Sequence, residues 1–337
     1  MKQNYQFFIG FDVSKKTLDY CVLEGTQCVT YGNIPNSAKG LKMLEKTLKS
    51  RRVPLDKTRV CWENTGLYTQ PLLDWSTIQH VNMWLAHPLR IKRSQGLVRG
   101  KSDQIDAKQI ARYACRHQDI SQLWEAPRPI LNELKSFVAA RVKNIKITQQ
   151  IKHSLQEIEA MEGAEAYRRM YACYEKTLQA LKEDLQQIEQ NIKACIKADE
   201  ELKEKYNIIT SVPGAGRVLA INMLVTTNEF KITTDERKVA CYAGVVPFER
   251  TSGTSIQGRK KVSMYANKSL KKLLHMGALS IAYRQNNALA TYYKRKITEG
   301  KPVMSVLNAI RNKMIMRICA CVRNHRKYQK NYMKKVA

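Results

Sequence analysis

A heptad seam constrains this chain more than any other feature. Tyr167, Tyr171, Tyr174, Leu178, Leu181, Leu185, Ile188, Ile192 and Cys195 recur in alternating steps of four and three, with charged residues between them. That spacing draws one apolar stripe along a long helix. A second run at helical spacing, Leu131, Leu134, Val138, Val142, Ile145, Ile151, Leu155 and Ile158, precedes it, and Glu162-Gly163-Ala164 separates the two. Stripes of this length need cover. Either the two helices pack antiparallel or a second copy of the chain takes one of them. Pro127 and Pro129 punctuate the approach to the first run, because proline cannot continue most regular structure. The expected organisation is an N-terminal domain over 1–126, a helical hairpin or coiled coil serving oligomerisation over 127–205, and a C-terminal domain over 206–337.

In the N-terminal part, acids end apolar runs. Gln6 to Val13 reads as a buried strand that contains Asp12. A carboxylate there costs several kcal/mol unless it is paired, hydrogen-bonded or bound to metal. Leu18 to Leu23 follows a Ser14-Lys15-Lys16 turn as a second strand. Leu41 to Leu48 is a short amphipathic helix. Arg59 to Trp62 is a strand closed by Glu63 and a glycine turn, and Val81 to Leu85 is another. Strands alternating with helices indicate an α/β sheet, in which strand ends carry sites. Ser102 is a good N-cap for a helix reaching about Arg116. Asp103 and Asp106 share a face of its first turn. One acid there offsets the helix dipole; two of them, with Asp12 and Glu63, make a converging cluster. Four carboxylates suit a pair of Mg²⁺ ions roughly 3.5–4 Å apart, as used in phosphoryl transfer. Asp19, Asp56, Asp74 and Asp119 read as surface acids.

The charge is lopsided. The 337 residues carry a net +29; residues 206–337 hold 25 Lys/Arg against 5 Asp/Glu, and residues 1–205 hold 33 against 24. A polyanionic partner is the simplest reason for such an excess. The sequence has no apolar run of about 18 residues and no long apolar N-terminal region of a signal peptide, so a cytoplasmic protein without a membrane partner is expected. Nine scattered cysteines with no CxxC pair read as reduced, mostly buried thiols rather than a zinc site or disulfide framework.

Pro213-Gly214-Ala215-Gly216 between helical runs looks like a helix-hairpin-helix element, whose glycines let backbone approach phosphate. Arg217 would then touch the nucleic-acid backbone. Asp235 to Tyr242 is a short helix leading into Thr251, Ser252, Gly253, Thr254, Ser255, Gly258, Arg259, Lys260 and Lys261. Such a loop presents a hydroxyl beside bare backbone N–H groups and cations, which a phosphodiester under attack needs; a solvated basic loop is the plainer alternative. The remainder is mainly helical: Lys268 to Tyr283 with Lys271 and Lys272 outward, then Tyr292 to Ile297 and Pro302 to Asn324. In the last helix Arg311, Lys313, Arg317, Arg323, Arg326 and Lys327 fall on several faces, many of them in solvent.

Three motifs carry a family resemblance. They are Gly-Phe-Asp-Val-Ser-Lys at 10–15, Glu-Asn-Thr-Gly at 63–66 and Lys-Ser-Asp-Gln-Ile-Asp-Ala at 101–107. Their order resembles a RuvC-like, RNase H-fold nuclease domain, and specifically the DEDD tetrad of the IS110 insertion-sequence transposases, with their IS1111 branch. The C-terminal third is similar to the second domain of that family through Ser-Val-Pro-Gly-Ala-Gly at 211–216, Tyr-Ala-Gly-Val-Val-Pro at 242–247, Ser-Gly at 252–253 and Gly-Arg at 258–259. The resemblance implies Asp12, Glu63, Asp103 and Asp106 as Mg²⁺ ligands and Ser252 as a nucleophile that forms a transient phosphoserine. Ser255 lacks the following glycine. The resemblance further implies an element-encoded guide RNA, donor and target DNA as substrates, and a homo-oligomer, dimer or tetramer, in which one protomer's acids meet another's serine. Arg217, Arg259, Lys260, Lys261, Lys271 and Lys272 are the expected nucleic-acid contacts. Two other readings stay open: a RuvC-like structure-specific nuclease that uses the four acids and water, and a non-enzymatic nucleic-acid-binding protein.

Overall fold

The computed structural model describes residues 5–63, 66–94, 102–119, 124, 127–252, 256–284 and 286–330. The chain divides into two units, residues 1–126 and 127–337.

The first unit is built on one sheet. Its elements are β1 (Phe7–Val13), β2 (Thr17–Glu24), β3 (Gln27–Pro35), α1 (Ala38–Ser50), β4 (Thr58–Glu63), α2 (Gln70–Ile78), β5 (Asn82–Ala86), α3 (Pro88–Ser94) and α4 (Asp103–Arg116). The five strands lie in the order β3-β2-β1-β4-β5. The first three pair antiparallel, while β1, β4 and β5 run parallel. This mixed α/β sheet is compatible with an RNase H-like domain. Alternation sorts β1 into two faces. Phe7, Ile9, Phe11 and Val13 enter one apolar core with Leu41, Leu44 and Leu48 of α1. Phe8 enters the other, with Ile110, Ala111 and Ala114 of α4.

Helix α4 lies unusually close to the sheet. A Cβ on Gly10 would stand 2.3 Å from the Ala107 carbonyl oxygen and 2.3 Å from the Ala111 nitrogen. Only glycine in the strand allows that approach. The stack of Trp84 on Tyr113, with ring centroids 4.9 Å apart, holds the helix against β5.

The second unit is helical apart from one ribbon. It comprises α5 (Pro129–Glu162), α6 (Ala164–Ala198), α7 (Glu200–Thr210), α8 (Arg217–Thr227), α9 (Glu236–Tyr242), β6 (Pro247–Ser252), β7 (Ile256–Val262), α10 (Lys268–Arg284), α11 (Ala288–Thr298) and α12 (Val303–Arg323). The long helices α5 and α6 turn at Gly163, whose φ of 87° suits a residue without a side chain. They pack along each other. Leu131, Leu134, Ile192, Cys195 and Ile196, at the base of the pair, join the main core. Arg128, just ahead of α5, pins this base: its guanidinium binds Asp199 at 2.6 Å and also the buried Glu229. In place of a loop expected over 251–261, residues 247–252 and 256–262 form the two-stranded antiparallel ribbon β6–β7. Its strands are polar and interrupted by Gly258, so no apolar alternation announces them.

Candidate active site

Backbone geometry places the acids of the first unit. Phe11 of β1 pairs with Trp62 of the parallel strand β4. One residue further on, Asp12 and Glu63 stand side by side at the carboxyl ends of adjoining strands, on the face that α4 covers. Helix α4 begins at Asp103, where the Ser102 hydroxyl accepts a hydrogen bond from the Ile105 N–H at 3.3 Å. Asp103 and Asp106 occupy its first turn, and the Gly10–Ala107 contact holds that turn against β1.

The four acids feel one another. Burial pushes the Asp12 carboxyl above the ordinary aspartate value, and the charges of Asp106, Asp103 and Asp19 add to the rise. Glu63 rises for the same reasons: burial first, then Asp12 and Asp106. Among the described residues no three acids, histidines or cysteines stand close enough together to chelate an ion as they are. The donor set nevertheless fits a hard divalent cation: it consists of carboxylate oxygens held in like-charged company.

Asp19, expected on the surface, belongs to this neighbourhood. It lies directly opposite Asp12 in the β1–β2 register and accepts a hydrogen bond from Asn33 Nδ2 at 2.8 Å. The short Ser14–Lys16 turn carries that signal, because it sets residues 12 and 19 across from each other. Like charges facing each other on a sheet are unfavourable, which adds to the demand for a cation.

In the second unit Ser252 closes β6, paired with Ile256 at the end of the ribbon. Gly253 and Ser255 lie outside the described residues, as does Lys101 of the third acid motif. Arg259, Lys260 and Lys261 lie in β7, and Lys261 is exposed. The remaining expected nucleic-acid contacts separate. Arg217 and Lys272 line a groove of about 680 Å³ between the hairpin base and α7, α8 and α10. The groove has an apolar floor that includes Val138, Ile145 and Ile221, and Lys146, Lys193, Lys197 and Lys203 add to its basic rim. Arg217 is already engaged there with Glu189 at 2.9 Å. Lys271 faces the Gly244 turn instead; its Cδ would lie 3.6 Å from a Cβ at Gly244. Gly214, expected to approach phosphate, approaches protein: a Cβ there would lie 2.6 Å from Ile281 Cδ1 and 3.0 Å from the Gly277 carbonyl oxygen. Among the described residues no helix is long and apolar enough to cross a membrane.

Two family models match in chain order. One, described as "Transposase", covers residues 9–158 and is that of the DEDD transposases of IS110 type; the other, "Transposase IS116/IS110/IS902 family", covers 206–294. The chain is 24% identical over 328 residues to the pilin gene-inverting proteins of Moraxella bovis and Moraxella lacunata, spanning 96% of this chain and 98% of theirs. Over 122 residues, 36% of this chain and 30% of the relative, it is 30% identical to an uncharacterized 43.6 kDa protein of insertion element IS110 from Streptomyces coelicolor.

Proposed function

This chain belongs to the IS110 family of transposases, and from that premise we propose that it cuts and rejoins DNA through Ser252, with Mg²⁺ held by Asp12, Glu63, Asp103 and Asp106. That it is a DNA transposase or recombinase follows from the family, which also implies a divalent metal. The observation that carries the finer reading is the placement of Asp12 beside Glu63 at the ends of β1 and β4, with the first turn of α4 held over them.

The chemistry conserves bonds. Ser252 Oγ attacks a backbone phosphorus and its proton leaves to solvent. One P–O ester bond to the DNA breaks, and the departing strand takes up a proton as a free hydroxyl. The strand left on the protein is a phosphoserine ester, so a new DNA hydroxyl displaces Ser252 and restores a phosphodiester without an external energy source. A bound divalent ion would supply neutralisation of charge on the phosphate oxygens. Asp12, Glu63, Asp103 and Asp106 would hold that ion; the β6–β7 ribbon presents the serine. Lys261 on the ribbon and the basic groove around Lys272 suit backbone contacts to DNA or to a guide RNA. Like the Moraxella proteins, named for inverting a pilin gene, the chain would have to hold two DNA sites at once, which suits a dimer or tetramer.

Ser252→Ala separates this reading from a nuclease that uses water. The expected outcome is loss of covalent protein–DNA adducts and of strand cleavage with DNA binding intact. Cleavage in Mg²⁺ at near the original rate would reject the serine.

A further inference from the structure

Helix α12 carries an arginine where an apolar residue belongs. Leu307, Met314 and Ile318 are buried at the four- and three-residue spacing of its inner stripe, and Arg311 occupies the place between Leu307 and Met314. It retains 5% of its surface. Its Nε is enclosed without a hydrogen-bond acceptor. Burial drives its pKa down, and among the described residues no carboxylate counters it. An arginine cannot discharge itself by losing its proton, and an unpaired buried charge costs several kcal/mol.

A second unpartnered group sits beside it. His275 of α10 has an enclosed Nδ1 with no partner, and burial together with the Arg311 charge lowers its pKa. The place is close to the base of the serine ribbon. Asn308, on the same face of α12 as Arg311, donates its Nδ2 to the Val245 carbonyl at 2.7 Å, two residues before β6 begins. Lys271, one turn before His275, flanks Gly244. Residues 206–337 hold five acids. Glu229, Glu236 and Glu299 are held by Arg128, Arg323 and Lys296, Asp235 caps α9, and Glu249 in β6 has an interaction of its own.

We propose that Arg311 and His275 form an anion site at the base of the β6–β7 ribbon that takes a phosphodiester oxygen of bound nucleic acid. The location rests on the reading of Ser252 as the reacting group, but the anion site does not. A carboxylate from another protein would satisfy the same cation; the excess of 25 basic over 5 acidic residues in 206–337 favours phosphate. Arg311 acts here as a positioning residue, since nothing places it on the reacting atoms.

The test uses the full chain carrying Ser252→Ala, so that it reads binding and is blind to whether serine chemistry occurs. Arg311→Met and Arg311→Lys are compared in affinity for a labelled mixed-sequence duplex DNA across a salt series, and in thermal melting with and without inorganic phosphate. Arg311→Met is expected to melt at the same or a higher temperature, because an apolar side chain replaces an unpaired charge. It is expected to bind DNA about tenfold more weakly, with a salt slope lower by about one, and Arg311→Lys to recover part of the loss. His275→Ala is expected to lose about threefold, as the smaller contributor. A lower melting temperature with unchanged DNA affinity would make Arg311 structural and overturn the proposal, and so would unchanged values in both. Stabilisation by phosphate that requires Arg311, without any effect of Arg311→Met on DNA binding, would assign the site to a free anion and overturn the nucleic-acid reading.

Discussion

The two units each hold a cluster of like charge, of opposite sign and differently built. In the first, Asp12, Glu63, Asp103, Asp106 and Asp19 gather at the sheet's end, and burial, with the neighbouring acids adding to it, raises the carboxyls of Asp12 and Glu63. In the second, Arg311 is buried beside His275, and among the described residues no acid acts on it. The acid cluster is set by backbone: two parallel strands in register and a helix packed against glycine. The cationic site is set by side-chain burial on one helix face. Both store unfavourable electrostatics that an external partner of the opposite sign would relieve, a pattern of function at the expense of stability.

The largest expected effect breaks the first cluster. Asp12→Asn and Glu63→Gln should each reduce strand cleavage by roughly 10³-fold, while raising the melting temperature in metal-free buffer by about 2–5 °C. A fall in both activity and melting temperature would mean that the acids are structural. The sign follows from the raised carboxyls. A carboxyl whose folded pKa lies above its unfolded value stabilises the fold when protonated, and that contribution is lost as pH rises through the folded pKa. The metal-free protein should therefore lose stability as pH rises from about 4 through that range, and Asp12→Asn should flatten the loss.

Gly10→Ala comes next. Its added methyl meets backbone atoms of α4 at 2.3 Å, so the helix must move. Overpacking of this kind costs about 1–3 kcal/mol, and displacing Asp103 and Asp106 by an ångström would cost about 10²-fold in activity. Denaturant unfolding with a parallel cleavage assay checks both. Full activity would show that the close approach does not set the acids.

These two regions differed in legibility. Strands β1 and β4 and the Ser102 cap of α4 follow from local signals: apolar runs closed by acids, and a serine before a helical pattern. The Gly10–Ala107 contact joins segments about a hundred residues apart and has no local signature. Strand β3 has no apolar signature because, at the sheet edge, five of its nine residues are exposed, with Gly32 and Asn33 inside it. The ribbon β6–β7 was hidden by its own polarity. Arg311 was legible in principle, since it falls on the buried stripe of α12, but a helix with cations on every side reads as solvated. Tertiary burial decides which of them is inside.

Metal affinity sharpens the comparison more gently. Protons compete for carboxylates, and raised carboxyls hold protons to higher pH than ordinary ones. The stabilisation given by added Mg²⁺ should therefore shrink as pH falls, and begin to shrink at a higher pH than ordinary carboxylates would give. Thermal melting across a pH series with Mg²⁺ reads the effect. A Mg²⁺ shift that does not vary with pH, or that persists in Asp12→Asn, would place the ion elsewhere.

The smallest effect on the fold concerns the helical pair, which joins neither charge cluster. Its base is packed, and its outer half, where Leu155 and Ala166 are buried, still leaves aromatic surface open: Tyr171 and Tyr174 of the seam are 37% and 38% exposed. Tyr171 stacks on Tyr167 with centroids 5.8 Å apart, so the tyrosines already form a flat apolar strip before any partner arrives. Replacing Tyr171 and Tyr174 by serine removes exposed surface and should change the stability of a single chain by no more than about 0.5 kcal/mol. If this strip is where copies meet, the same double substitution should shift sedimentation toward monomer and reduce strand exchange, which needs several subunits, more than single-site cleavage. Unchanged sedimentation would mean that the half-covered seam serves the hairpin alone. Assembly would then have to rest on the charged surfaces, and should respond to salt rather than to the loss of two aromatic rings.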